Sequence, residues 1–279
     1  MRIGQNPNYK LKLMDAYAPI IVGAITHLPV VSGYHAQRFD VVKLSLETMR
    51  RNAGTDCKIM VWDNGSGGVL RNWLFNVYQP DYLILSENVG KSAARAGMVR
   101  MLPPGIIIGV ADDDVLYSPN WLAKQVEVLQ HFPNVGQVSG CPIRTQARWG
   151  NKNTIAWSKA NAELEYKKEI LPQYEADFCK SIGRDYKWHQ QYTADDLDPV
   201  ITYNGMSVIG TAHHFQFIGY AGMLAPIVQW DDRAMADEKL FDNAVDAAGL
   251  LRLTTIRRYT QHIGNVIDDG IREAALAYA

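Results

Sequence analysis

The apolar run Ile106-Ile107-Ile108-Gly109-Val110-Ala111 leads straight into three carboxylates, Asp112-Asp113-Asp114, and this junction constrains the chain more than any other. Apolar residues without alternation read as a strand buried on both faces, as in the parallel sheet of an α/β protein. Three acids at its exit repel one another, so water, a cation or a shifted pKa must relieve them. A divalent ion holding phosphate oxygens would do so. An acidic turn capping the helix that begins near Pro119 would place carboxylates there as well.

A second junction of the same kind lies upstream, where Cys57-Lys58-Ile59-Met60-Val61-Trp62 runs into Asp63-Asn64-Gly65-Ser66-Gly67-Gly68. Ligands of parallel α/β sheets gather outside the carboxyl ends of the strands, so two such exits in one sheet would share a crevice. Strand-like and helix-like stretches alternate around them, the pattern of βαβ units. Pro19 to Thr26 reads as a strand, followed by a loop with His27, Gly33 and His35. A helix is expected from Asp40 to Asn52, with Val41, Leu44, Leu46 and Met49 on its apolar face. Further expectations are a helix from Val69 to Val77, a strand from Tyr82 to Leu85, and a helix from Lys91 to Met101 that Pro103-Pro104-Gly105 stops. Ser118 and Pro119 suggest a cap and first turn for a helix from Asn120 to Phe132, with a strand from Val135 to Ser139 beyond it.

From Thr145 to Asn204 this regularity gives way to aromatic and charged residues, among them Trp149, Trp157, Tyr166, Tyr174, Tyr186, Trp188 and Tyr192. Ala160 to Ile170 reads as a helix covering the sheet, and long stretches of weak periodicity commonly supply substrate loops. Farther on, Glu238 to Ala248 has a helical face and Leu251 to Ile256 is strand-like.

At 279 residues and 47% hydrophobic, the chain can bury one large core, or a core with a smaller lobe. A net charge of −1 gives no bulk attraction to nucleic acid or anionic lipid. No apolar run approaches the roughly 18 residues needed to span a bilayer. Met1 to Lys10 has no apolar signal-peptide core, so a cytoplasmic protein is expected. Cys57, Cys141 and Cys179 lie far apart and read as reduced packing residues.

Several of these features resemble a family when read in order: Ile20 to Thr26; Val61-Trp62-Asp63-Asn64-Gly65-Ser66; Glu87-Asn88-Val89-Gly90-Lys91-Ser92-Ala93-Ala94-Arg95; Asp112-Asp113-Asp114-Val115 ahead of Pro119-Asn120-Trp121-Leu122; and Asp237-Glu238 ahead of Leu240, Phe241 and Gly249. Together they resemble the nucleotide-sugar glycosyltransferases of the GT-A fold, in particular the family 2 type. The resemblance implies an α/β fold with a mixed, mainly parallel sheet flanked by helices. It also implies a single catalytic domain over 1–279, with a nucleotide-sugar half at about 19–140, an acceptor half at about 141–265 and a tail at 266–279. The expected activity is metal-dependent sugar transfer, by single displacement, from a UDP- or GDP-sugar to an unknown acceptor.

The same resemblance assigns residues. Asp63 would meet the nucleobase, and Thr26, Asn64, Asn88 and Asp113 would belong to the donor site. Lys91 and Arg95 would lie near ribose and diphosphate. Asp112 and Asp114 match the outer acids of the Asp-x-Asp motif, Asp114 as ligand of Mn²⁺ or Mg²⁺ and Asp112 near the ribose or a metal-bound water. His262 resembles a C-terminal histidine that reaches the metal or diphosphate in some GT-A enzymes. Asp237 and Glu238 stand as base candidates, Glu238 by register, in the inverse of the family's usual Glu-Asp order. Two other classes compete. A haloacid-dehalogenase-like phosphatase also carries Asp-x-Asp at a strand exit, but its pattern wants Thr or Val where Leu116 stands. A catalytically silent nucleotide or sugar binder would keep the fold and lack the base.

Overall fold

The computed structural model describes residues 19–228 and 238–278. Strands β1 (Ile20–Thr26), β2 (Lys58–Asn64), β3 (Tyr82–Ser86) and β4 (Ile107–Asp112) are parallel, in the spatial order β3-β2-β1-β4. The register places Thr26 opposite Asp63 and Ile25 opposite Asp112, so both acidic exits open at one end of the sheet. Helices α1 (Arg38–Arg51), α2 (Gly68–Trp73) and α3 (Lys91–Arg100) make the crossovers. Gly97 lets α3 lie close to β2, since a Cβ there would come within 2.5 Å of the Trp62 ring.

Beyond β4 the chain forms β5 (Val115–Tyr117), helix α4 (Trp121–His131) and β6 (Val135–Ser139). The aromatic stretch folds as α5 (Lys152–Asn161), β7 (Glu163–Lys167), α6 (Pro172–Ser181) and α7 (Tyr186–Tyr192). Then come β8 (Asp198–Tyr203), β9 (Met206–Ile209), β10 (Gln216–Tyr220), α8 (Ala221–Leu224), α9 (Glu238–Ala247), β11 (Leu251–Thr255), β12 (Thr260–His262) and α10 (Asp269–Ala277). The sheet continues past β4 as β10-β6-β11-β9-β8-β7, with β10 antiparallel to both neighbours and β6 parallel to β11. It is therefore mixed, and wholly parallel in the part that carries the two acidic exits. Apolar clusters cover both faces, one centred on Val22, Leu46 and Trp121, the other on Ile21, Met98 and Phe217.

Two local expectations are corrected. The helix anticipated from Ala160 to Ile170 ends at Asn161, and Glu163–Lys167 pairs with β8 as an edge strand. Alternation decides this: Leu164 packs on the core while Glu163 and Glu165 face solvent, a period of two rather than of 3.6. Ser118 does not cap α4; its hydroxyl donates to the Tyr259 carbonyl at 3.1 Å, and Asn120 takes the cap position with φ 65°. The three cysteines are free thiols, Cys141 and Cys179 buried, as expected of packing residues. No helix among the described residues is long and apolar enough to cross a membrane.

A buried ion pair locks the aromatic stretch to the sheet. Arg144 donates through Nε and Nη2 to Asp198 at 2.8 and 2.9 Å, and Asp198 also accepts the Glu169 and Ile170 N–H groups. Asp198 is fully buried, so Asp198→Ala leaves the buried Arg144 guanidinium without its paired carboxylate. A loss of about 3–5 kcal/mol is expected, read from urea denaturation.

Candidate active site

The acidic exit of β4 is built as three carboxylates with three different environments. Asp113 is buried against Arg38, with which it forms a close ion pair, and it accepts the His27 N–H at 3.4 Å. Burial pushes its carboxyl up to about 6, the neighbouring acids adding to the rise and Arg38 opposing it. Asp114 accepts from Arg38 Nη1 at 2.9 Å through Oδ2. Its Oδ1 is buried without a hydrogen-bond partner and stands 3.6 Å from His262 Nε2. Burial alone would raise the Asp114 carboxyl, but His262 and then Arg38 outweigh it and hold it below the usual range. Asp112 is paired with Lys91, whose Nζ lies 2.7 Å from Oδ1.

His262 reaches this point through chain pairing. Strand β12 is antiparallel to β5, and the Ile263 N–H donates to the Asp114 carbonyl at 2.9 Å. Distant segments thus bring an imidazole nitrogen to the unpartnered acid oxygen.

Lys91 also connects the acids to α9. Its Nζ is 2.7 Å from Glu238 Oε1, and Arg95 donates to Glu238 Oε2 at 2.7 Å. Burial would raise the Glu238 carboxyl, yet Arg95 and Lys91 hold it well below the usual carboxylate range. Asp237, the other base candidate, lies outside the described residues, as does Trp230-Asp231-Asp232, which reads in the sequence either as a contact to acceptor or donor sugar or as exposed turn charges.

A cavity of about 320 Å³ opens at the acids, lined by Asn64, Asn88, Lys91 and Asp112 to Asp114 together with His27, Tyr34, Arg38 and Asn265. Six anticipated site residues therefore share one cavity. Thr26, Asp63, Arg95, Glu238 and His262 are not among its lining residues, and Thr26 and Asp63 are fully buried. The Asp63 carboxylate accepts from Arg71 Nε at 2.6 Å and from the Thr26 hydroxyl at 3.3 Å. Asn64 carries the rim instead: its amide donates to Asn88 Oδ1 at 3.1 Å, and its Oδ1 accepts the Val89 N–H at 2.9 Å. Gly65, at φ 84°, allows this contact, because a Cβ would meet the Asn88 nitrogen at 2.8 Å. A larger cleft of about 680 Å³ lies beyond His262, walled by Asp177, Lys180, Arg258 and Asp268, and shares Tyr34 and Asn265 with the first.

Arg38, Arg71 and Tyr34 went unread in the sequence. Each lies in a segment whose motif gives no sign of it, and only the placement of α1 and α2 brings the two arginines to acids 75 and 8 residues away.

A family model described as glycosyl transferase family 2 matches residues 34–192 of the chain. The chain belongs to glycosyl transferase family 2. The matched stretch contains the donor-side residues from Asp63 to Arg95 and the acidic motif, and ends before Glu238 and His262. The mixed α/β architecture, a sheet flanked by helices, is the fold class expected from the sequence. Among solved structures the chain is similar to mannosyltransferase PcManGT from Pyrobaculum calidifontis in complex with GDP-Man and Mn²⁺, at 21% identity and a TM-score of 0.36, over 55% of this chain and 42% of that one. It is also similar to S. aureus TarS 1–349, at 11% identity and a TM-score of 0.47, over 88% of this chain and 60% of that one. The chain thus spans less than two thirds of the length of either. No curated protein matches it.

Proposed function

We propose that this family 2 protein transfers a sugar from a UDP- or GDP-sugar to an acceptor hydroxyl, with a divalent cation held at Asp114. The observation that carries the reading is the unpartnered, buried Oδ1 of Asp114, a residue lining the 320 Å³ cavity, 3.6 Å from Nε2 of His262, which lines the neighbouring 680 Å³ cleft. An oxygen and an imidazole nitrogen are donors that Mn²⁺ accepts, and Mg²⁺ is commonly held by one or two carboxylates with substrate phosphates completing its shell. The residues present fit that mode. Among the described residues no cluster of three or more metal-binding side chains occurs, so a diphosphate is needed to complete the coordination. Asp114 and His262 would hold the ion, with Asp112 on a bound water. The ion, when bound, would neutralise charge developing on the leaving diphosphate.

The chain's own cations serve the same end. Lys91, half-buried beside Asp112 and Glu238, and Arg95, buried beside Glu238, would turn toward a bound diphosphate. Asn64 and Asn88 offer amide groups at the rim where a nucleobase would sit, with Asp63 supporting them from below. Transfer by single displacement inverts the anomeric centre and needs a base on the side of the sugar away from the diphosphate. Glu238 stands on the β10 and α9 side of the acids, but two cations already share its carboxylate. It gains basicity only when the donor draws Lys91 away.

The test is release of the nucleoside phosphate from UDP-, GDP-, CMP- and dTDP-sugars by the purified protein, with Mn²⁺, with Mg²⁺ and with chelator. Chelator-sensitive release from one donor class is the expected result. Phosphate release from a monoester with no response to any nucleotide sugar would favour a phosphatase, and donor binding without turnover a silent binder.

A further inference from the structure

The guanidinium that meets two of the three acids is delivered by helix α1. Arg38 is its first residue, and the buried Val41, Ser45 and Thr48 follow on the same face at helical spacing. Ser45 Oγ accepts the Val115 N–H at 3.2 Å and Thr48 Oγ that of Tyr117 at 3.4 Å, so α1 is registered against β5, the strand that leaves the acids. Arg38 lies about two turns before Ser45 and carries that face back to the acids. It is buried, and it lines the donor cavity.

The guanidinium forks between two carboxylates. Nη2 pairs with Asp113 and Nη1 donates to Asp114 Oδ2 at 2.9 Å, while Lys91 Nζ lies 2.7 Å from Asp112 Oδ1. Arginine does not lose its proton in proteins, so its charge is permanent. The three acids therefore face two cations, and Asp114 has one oxygen already committed. What it leaves is Oδ1, with His262 Nε2 at 3.6 Å. Three unpaired carboxylates could hold a hard divalent ion by themselves, because such ions take six or more ligands, mainly oxygen. One oxygen and one nitrogen in nearly balanced charge are too few to strip a strongly hydrated ion of its water.

We infer that Arg38 makes cation binding conditional on the donor: by committing Asp113 and one oxygen of Asp114, it leaves the ion a site that only a diphosphate completes. The inference rests on the metal-assisted transfer reading and adds an order to it. Cation and nucleotide enter together, and the acids hold no metal between turnovers. Arg38 acts through the acids, as a positioning residue. Coupling is reciprocal, so the ion tightens nucleotide binding by the factor with which the nucleotide tightens that of the ion.

The experiment measures protein-bound Mn²⁺ by electron paramagnetic resonance for wild type, Arg38→Gln and Arg38→Lys, each alone and with UDP or GDP, against the nucleotide without protein. Wild type should bind Mn²⁺ at least about tenfold more tightly with one of the nucleotides than without. Arg38→Gln removes a charge a few ångströms from the ion and frees Asp114 Oδ2, so it should bind Mn²⁺ alone about tenfold more tightly than wild type does. Arg38→Lys keeps the charge and should stay near wild type. A merely structural role predicts the opposite sign, since a loosened acid exit holds the ion less well. Wild type that binds Mn²⁺ equally with and without nucleotide overturns the inference and leaves the metal reading standing; wild type that binds no Mn²⁺ under any of these conditions overturns both. A folded Arg38→Gln protein with unchanged or weaker binding of Mn²⁺ alone overturns the role of Arg38. If that variant does not fold, the wild-type comparison decides.

Discussion

Replacing Asp114 with alanine is expected to remove the metal dependence of donor binding and to lower kcat/KM by about a thousandfold or more, roughly 4 kcal/mol of transition-state stabilisation. The substitution deletes the unpartnered oxygen that faces His262, and with it the acid proposed to hold the cation. The fold should tolerate it, because Arg38 keeps its ion pair with Asp113 after losing its contact to Asp114. A cost of about 1–3 kcal/mol is expected, read by urea denaturation. Titration of Mn²⁺ into the protein with donor present should give saturable binding for wild type and none for the variant. A fully active Asp114→Ala protein, or one whose response to metal is unchanged, would rule out the assignment.

The second large effect is expected at Lys91, which lies 2.7 Å from both Asp112 and Glu238. Lys91→Met leaves two half-buried carboxylates without the cation they share and removes that cation from the proposed diphosphate site, so kcat/KM should fall by about 10²–10³. Stability should respond with a definite sign. The Glu238 carboxyl sits well below its ordinary value of 4.5, and Lys91 is one of the groups that hold it there. A depressed carboxylate stabilises the fold above its unfolded-state pKa, and that contribution is lost as pH falls toward the folded value. The variant should therefore melt below wild type at pH 7, with the gap narrowing below about pH 4.5. Melting curves across pH would show this, and an unchanged gap across the range would contradict it.

How far the site could be read from the sequence follows from which interactions are local. Asp112 to Asp114, Asn64, Asn88 and Lys91 were legible because each follows a strand or opens a helix, and the parallel register carries those exits to one end of the sheet. Asp63 was legible as a strand exit but not in its surroundings, since Arg71 arrives only once α2 has packed. His262 was found through family resemblance; its placement beside Asp114 depends on a two-stranded pairing that no periodicity announces. Arg38 was missed for the same reason: its partner Asp113 is 75 residues away. The aromatic stretch misled where composition suggested helix, and an edge strand formed because alternate residues had a core to face.

The most direct test of the central claim is a thermal-shift series on the whole chain with UDP-, GDP-, CMP- and dTDP-sugars, each with Mn²⁺, with Mg²⁺ and with chelator. A ligand that binds only the folded state raises the melting temperature in proportion to the logarithm of its saturation. The account predicts stabilisation by a UDP- or GDP-sugar that requires the cation and disappears with chelator. Indifference to every nucleotide sugar with either metal, or a shift that chelator leaves intact, would contradict it.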